Sequence, residues 1–435
     1  MLAGSAKVDI TPPVGASLAG YFHDRRASGV ADPLYAKALV AGSDDEAVAL
    51  VALDLIGLRR AEVEQTRRRA HELCGIRPER VMIACTHTHL GPVTIHLFQS
   101  PCDLDWLATV PEKGAEAIAQ AWRARRDHKF AIATGRVETI SFNRRFWMTS
   151  GVVETNPGRL NPDIVRPAGP IDPEVGVLVW GECDKPEVVL VNFTCHLDTI
   201  GGDVISADYP AYMAANLRAA LGDVGVIFIN GAFGDINHID VHDAHPRSGI
   251  EQAKWMGEVL AAEVLRTLAG AGAREAGPSA TETVDERHRR LDVPSRPLAA
   301  EVIEAAQREL EAAAPAGETN AAQMYAREVV LLAESARPTV VAEVQALRLG
   351  DAVFVGLPGE PFVELGLRLK RGSPFAHTYI AGLANGCEGY IPTRAAFAEG
   401  GYEVRTARSS KLHPEAGDVM VRAGAELLAE LRQAG

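Results

Sequence analysis

Short apolar runs bounded by Gly, Pro and Asp alternate with longer amphipathic stretches along this 435-residue chain. That alternation restricts the fold more than any other feature. EAVALVALDL (46–55) precedes the helix-period RRAEVEQTRRRAHELC (59–74), RVMIAC (80–85) follows, and a helix candidate lies within Asp103 to Arg126. Apolar runs this short read as strands and the 3.6-period stretches as helices. Strand and helix in alternation define an α/β class. The 47% apolar content supports a sizeable core, and the length fits one large domain or two ordinary ones.

The segment from about Ala271 to Pro338 departs from this rhythm. AGAREAGPSATETVDERHRR is polar, and LAAEVIEAAQRELEAAA and TNAAQMYAREVVLLAESA read as two amphipathic helices. We read 271–338 as a helical insertion or cover on a single domain spanning residues 1–435. No internal repeat or low-complexity tract is present.

Charge narrows the partners. With 57 acidic against 44 basic residues and a net charge of −13, nucleic acid and anionic membrane surfaces are poor partners, and a small-molecule substrate, neutral or cationic, is easier to accept. A homo-oligomer is left open. The N-terminus MLAGSAKVDITPP has no basic region leading into an apolar stretch, and no segment approaches ~18 uninterrupted apolar residues. The expectation is a cytoplasmic protein. Its six scattered cysteines form no Cys-x-x-Cys pair, which suits reduced thiols acting as small packing residues.

Five apolar runs each end at residues capable of chemistry. VMIAC leads to Thr86-His87-Thr88-His89, VVLVNFTC to His196-Leu197-Asp198, and VIFINGAF to Gly234-Asp235-Ile236-Asn237-His238. AVFVGLPG leads to Glu360, and YIAGLANG to Glu388-Gly389-Tyr390. In α/β folds ligands gather beyond the carboxyl ends of strands. At i and i+2 of an extended backbone, His87 and His89 face one site. By themselves they read equally as ligands or as loop groups. His196 alone reads as a core imidazole, Asp198 as its orienting group or a base, Glu360 as a helix-start carboxylate, and Tyr390 as a buried phenol. GDINHIDVHDAHP (234–246) reads as a solvated loop, a second metal site through His238, His242 and His245 being the alternative. There is no Walker A pattern, no Gly-x-Gly-x-x-Gly and no Gly-x-Ser-x-Gly.

In order, KVDITPPVG, CTHTHLGP, FNRR, NFTCHLDT, NGAFGDIN, GLPGEPFVELG and AGLANGCEGYIPTR span about residues 5 to 405. This series resembles the catalytic domain of the neutral/alkaline, non-lysosomal ceramidases, zinc-dependent amidases that cleave the N-acyl bond of ceramide. The resemblance implies mixed β-sheets packed between helical layers, and one zinc ion held by His87, His196, Glu360 and Tyr390. It implies His89 as a donor to the substrate carbonyl or oxyanion, and Arg144 as a substrate-binding group.

Two departures from the family matter. Where the ceramidases carry Gly-Asp-Val-Ser-Pro-Asn with a serine proposed as nucleophile, Asn237 stands in the serine's place. The lipid-acting members also carry a secretion signal and a further C-terminal immunoglobulin-like domain, neither of which is read in these 435 residues, so the expectation leans away from ceramide itself. The expectation is therefore hydrolysis of an amide, or an ester, of a small non-lipid substrate by metal-activated water. Asp198 or Asp235 would orient a ligand or move a proton, and Asn237 would hydrogen-bond the substrate. The alternatives are a metal-dependent lyase or isomerase acting on a polyol or sugar-like substrate, and a catalytically silent binding protein of the same fold.

Overall fold

The computed structural model describes every residue except 96–97, 99, 246, 270–273, 276–282, 313–320, 336 and 435. Leu2–Asp9 (β1), Tyr35–Ala41 (β2), Val48–Leu53 (β3) and Val81–Cys85 (β4) form a first sheet in the order β4-β3-β2-β1, with Arg126–Asp127 on its far edge. Phe130–Arg136 (β5), Glu174–Glu182 (β6), Lys185–Phe193 (β7) and Gly225–Asn230 (β8) form a second, ordered β8-β7-β6-β5, with Arg274–Glu275 beyond β5. A third runs Val284–Pro294 (β9), Thr339–Leu349 (β10), Ala352–Gly356 (β11), His377–Ala381 (β12).

The sequence VALVAL of β3 shows why the layers form. All six of its side chains are buried, the mark of a strand covered on both faces. Val48, Leu50 and Ala52 face a core shared by the three sheets, where they meet Trp180, Leu190, Leu347 and Phe354. Ala49, Val51 and Leu53 face a second core under the helices. Each Val or Leu so buried contributes roughly 1.5–3 kcal/mol. The helices over that outer core are Arg60–Cys74 (α1), Val110–Arg123 (α2), Tyr209–Leu221 (α3) and Ile250–Ala269 (α4). Ala300–Glu311 (α5) and Ala321–Glu334 (α6) pack on each other through Ala306, Ala326 and Val329. Val363–Gly372 (α7) and Ala416–Ala434 (α8) belong to the third sheet, whose outer face meets Leu365, Leu369, Met420 and Leu427. The fold is thus a single α/β domain of mixed sheets inside helical layers, as the sequence led us to expect. Among the described residues, no helix is long and apolar enough to cross a membrane.

The 271–338 segment is mixed in character. Its second half forms α5 and α6, while β9, within its first half, pairs along its whole length with β10. Residues 271–273, 276–282, 313–320 and 336 lie outside the described residues.

Each sheet contains one parallel pair: β3 with β4, β7 with β8, and β11 with β12. A parallel pair needs a crossover, supplied here by α1, α3 and α7 respectively. The later strand of each pair is its sheet's edge, and the three edges meet at their carboxyl ends. Asn385 N–H donates to Ile83 O (2.7 Å), Cys85 N–H to Leu383 O (3.3 Å), and Gly382 N–H to Asn230 O (3.0 Å). All five sequence motifs that follow strands therefore emerge in one region.

Candidate metal centre

Beyond β4 the backbone turns at His87, whose φ of 75° is left-handed for a residue with a Cβ. Such strain persists only where surrounding bonds over-determine it. Here the segment after β3 holds it: His87 N–H donates to Leu55 O (2.9 Å) and its Nδ1 lies 2.7 Å from Ile56 O. The neighbouring loops are tied through His89 N–H to Leu197 O (3.0 Å). Asn230, at the end of β8, donates to Thr86 O (3.1 Å) and Cys195 O (2.9 Å) and accepts from Cys195 N–H (3.3 Å).

With Nδ1 of His87 on Ile56 O, and Nδ1 of His196 on Phe233 O (2.9 Å) and Ile236 O (3.0 Å), both imidazoles turn Nε2 inward. Backbone carbonyls orient metal-binding histidines in this way. His89 Nε2 stands 3.2 Å from His87 Nε2, and Glu360 Oε2 stands 3.4 Å from Nε2 of both His87 and His196. Ligand atoms of the three histidines lie within 4.8 Å of one another. A tetrahedral set with metal–ligand bonds of ~2.0–2.1 Å needs donors about 3.3 Å apart. Glu360 Oε2 is also buried without a hydrogen bond among the described residues, an orphaned anionic oxygen that a cation would satisfy. Burial acts to raise its carboxyl pKa, but His87 and His196 outweigh that and hold it well below the usual range. Burial, reinforced by Arg144, pushes His196 down to about 3, leaving a neutral imidazole able to ligate. This donor set fits a divalent metal, and zinc accepts such N and O ligands.

His89 enters the cluster itself, beyond the substrate-facing position expected from the sequence. Gly20 tests its part. At φ +91° it lies so close to the ring that an added Cβ would stand 2.3 Å from His89 Nδ1. Gly20→Ala is expected to displace the imidazole and weaken zinc binding severalfold, at a stability cost of about 1 kcal/mol for the left-handed backbone. Zinc titration with a thermal melt checks this, and unchanged affinity would remove His89 from the ligand set.

Arg144, 4% exposed, organises the other wall. Its Nη1 is 3.3 Å from His196 Nε2, and its Nη2 donates to Gly234 O (2.6 Å) and the Tyr390 hydroxyl (3.2 Å). Nε donates to Glu403 Oε1 (3.0 Å), and the Tyr390 and Tyr402 hydroxyls are 3.2 Å apart. Tyr390 reaches the cluster beside Glu360, through the two-residue parallel pairing of Glu360–Pro361 with Tyr390–Ile391.

The remaining candidates separate. Asp198, half-buried, accepts from the Tyr21 hydroxyl (2.8 Å) and lies 3.7 Å from His89 Nδ1. Asp235 is absent from the cavity wall. Its Oδ1 accepts from Val363 N–H (2.7 Å) at the start of α7, and its Oδ2 from Asn143 (3.0 Å). Burial pushes its carboxyl up to about 6, and it ties the turn after Glu360 to Asn143, the residue before Arg144. Asn237 lines the cavity, but its carboxamide donates to Asn156 Oδ1 (2.9 Å) and accepts from Ile239 N–H (3.0 Å). His242 and His245 are exposed, His245 paired with Asp243 at 3.1 Å, and only His238 turns inward. Pro246 lies outside the described residues.

His87, His89, His196, Glu360, Arg144 and Tyr390 line a cavity of about 830 Å³, whose wall also includes Phe22, Phe98 and Tyr325. A neighbouring cavity of about 770 Å³ touches the cluster only through Glu360, and its Arg408 and Lys411 are paired with Glu328 and Glu388. Tyr21, Arg159, Tyr402 and Glu403 were not singled out in the sequence. Tyr21 and Arg159 sit in irregular segments, and Tyr402 and Glu403 in the short 3-10 helix Tyr402–Val404, none with a periodicity to mark them.

No protein-family model matches the chain, and no curated protein matches its sequence. Solved structures do. Neutral ceramidase from Pseudomonas aeruginosa superposes with a TM-score of 0.73 at 19% identity, covering 100% of this chain and 74% of its own. A ceramidase complexed with C2 gives 0.74 at 18% identity, covering 100% and 75%. At these identities the likeness establishes architecture, and the chain has the fold seen in those two ceramidases.

Proposed function

We propose that the protein is a zinc-dependent hydrolase that cleaves an amide bond of a small, polar substrate. The observation that carries this reading is the meeting of His87 and His196 Nε2 with one Glu360 oxygen, 3.4 Å from each, with His89 Nε2 3.2 Å from His87 Nε2, in the wall of one cavity. Structural neighbours named as ceramidases support amide chemistry. His87, His196 and Glu360 would hold the metal, with His89 or the Tyr390 phenol completing the set. When bound, zinc lowers the pKa of a water to about 7 and polarises a carbonyl.

The chain's own groups supply the rest. Asn237 offers no nucleophile, so the attacking oxygen comes from water. Asp198 is the half-exposed carboxylate of the cavity, oriented by Tyr21, and would accept the water proton at Oδ2 and return it to the leaving amine. The Arg144 guanidinium and the Tyr402 hydroxyl would donate to the carbonyl oxygen as it gains charge, joined by the Tyr390 hydroxyl where His89 is the fourth ligand. A C–O bond forms as the C–N bond breaks, and the amine leaves with a proton.

Metal-stripped and zinc-reloaded protein, assayed against amides and esters with products identified by mass, tests this. Zinc-restored activity with products heavier in sum than the substrate by one water is expected. Activity indifferent to zinc would overturn the reading, and a product of unchanged mass would identify isomerisation instead.

A further inference from the structure

The cavity has a second polar region, away from the Glu360 cluster, built on the turn Thr155-Asn156-Pro157-Gly158-Arg159-Leu160. Asn156 (φ 51°), Gly158 (φ 93°) and Leu160 (φ 51°) are all left-handed. Two of the three carry a Cβ, so the turn's shape is imposed at a conformational cost. Bonds from Asn156 N–H to Arg144 O (2.8 Å) and Leu160 N–H to Val241 O (2.8 Å) impose it, and Asn161 clasps Pro157 O (2.7 Å).

The turn delivers Arg159 to the cavity wall half-buried, and among the described residues its guanidinium has no carboxylate or hydrogen-bond partner. Every other arginine lining this cavity is engaged: Arg144 is bound by Glu403 and Gly234 O. The same cavity wall includes His238, 6% exposed, whose Nδ1 is buried with no partner among the described residues. Burial holds that imidazole down to about 4, with Asp198 and the Arg247 carbonyl pulling it up and the Arg159 charge adding to the depression. Asn156 spends its carboxamide oxygen on Asn237 and leaves its amino group uncommitted. An unpaired guanidinium and an uncommitted amide donor, held on a strained turn, are the complement of a planar anion.

We propose that Arg159 and Asn156 form an anion subsite that binds a carboxylate on the substrate, making the preferred substrates N-acyl amino acids. The substrate class rests on the amidase reading above, whereas the subsite does not. The carboxylate would lie against Arg159 while the acyl–nitrogen bond reaches toward Glu360. Asp198, tied to the Tyr21 hydroxyl, would stand between the two regions, nearer the amine.

Binding of N-acetylglycine and of its neutral counterpart N-acetylglycinamide, measured by calorimetry on the zinc-loaded full chain, tests the subsite apart from turnover. N-acetylglycine is expected to bind at least about tenfold tighter. That preference should vanish in Arg159→Ala and return in part in Arg159→Lys, with thermal melts confirming that both variants fold. Equal binding of the two probes, no binding of either, or a preference that survives Arg159→Ala would overturn the proposal. Discrimination in binding without any hydrolysis would leave the subsite standing and overturn the amidase reading instead.

Discussion

Zinc content is expected to fall from near-stoichiometric to background in His196→Ala. His196 is 1% exposed, and its ring is fixed by two carbonyls so that Nε2 has one direction to point. Losing an outer partner of a metal ligand typically costs roughly 10–100-fold in affinity or activity, so removing a ligand outright should exceed that range in both. Glu360→Gln is the companion variant. It keeps shape and volume but removes the charge that the cluster concentrates at Oε2, and it should weaken metal binding with little change in fold. Elemental analysis of purified protein and competitive zinc titration check both. Full zinc occupancy in His196→Ala would move the metal elsewhere or dismiss it.

Asn230→Ala is expected to give the largest loss of stability among single changes near the site. The side chain, 1% exposed, satisfies Thr86 O, Cys195 O and Cys195 N–H. Each buried backbone group left unpaired costs about 1–3 kcal/mol, and partial relaxation brings the sum to about 3–5 kcal/mol. The damage should not stop at stability. Thr86 immediately precedes His87 and Cys195 precedes His196, so both ligand-bearing loops lose their common anchor. Denaturant unfolding read beside zinc affinity checks this, with both expected to fall together. A stable variant with intact zinc binding would show that the loops are set independently of β8.

The strand ends were legible because strand-forming sequence is locally distinctive: VMIAC, VVLVNF and AVFVG are short, apolar and β-branched. Their paired burial follows from the same pattern. That His87, His196 and Glu360 belong together was legible only as a coincidence of polar residues after such runs. The place of His89 was harder to read. An i, i+2 spacing gives a shared face in extended chain, but His87 is left-handed, and the meeting of the two Nε2 atoms depends on that local departure. Asp235 and Asn237 illustrate the opposite limit. Both follow β8 in sequence like functional groups, yet one fastens α7 and the other ties the Asn156 turn.

By itself the sequence determined the alternation of strands and helices, the two-sided burial of strands such as β3, and the residue types able to bind metal. These are consequences of local periodicity and side-chain chemistry, which need no knowledge of what packs on what. Only the tertiary structure decided that edges β4, β8 and β12 meet at their carboxyl ends, which fixes the distances among the three histidines and Glu360. It also decided that Arg144 is committed to Glu403, whereas Arg159 in the same cavity has no ion-pair partner among the described residues. Pairing of charges distant in sequence depends on long-range packing, and a chain read residue by residue carries no measure of it.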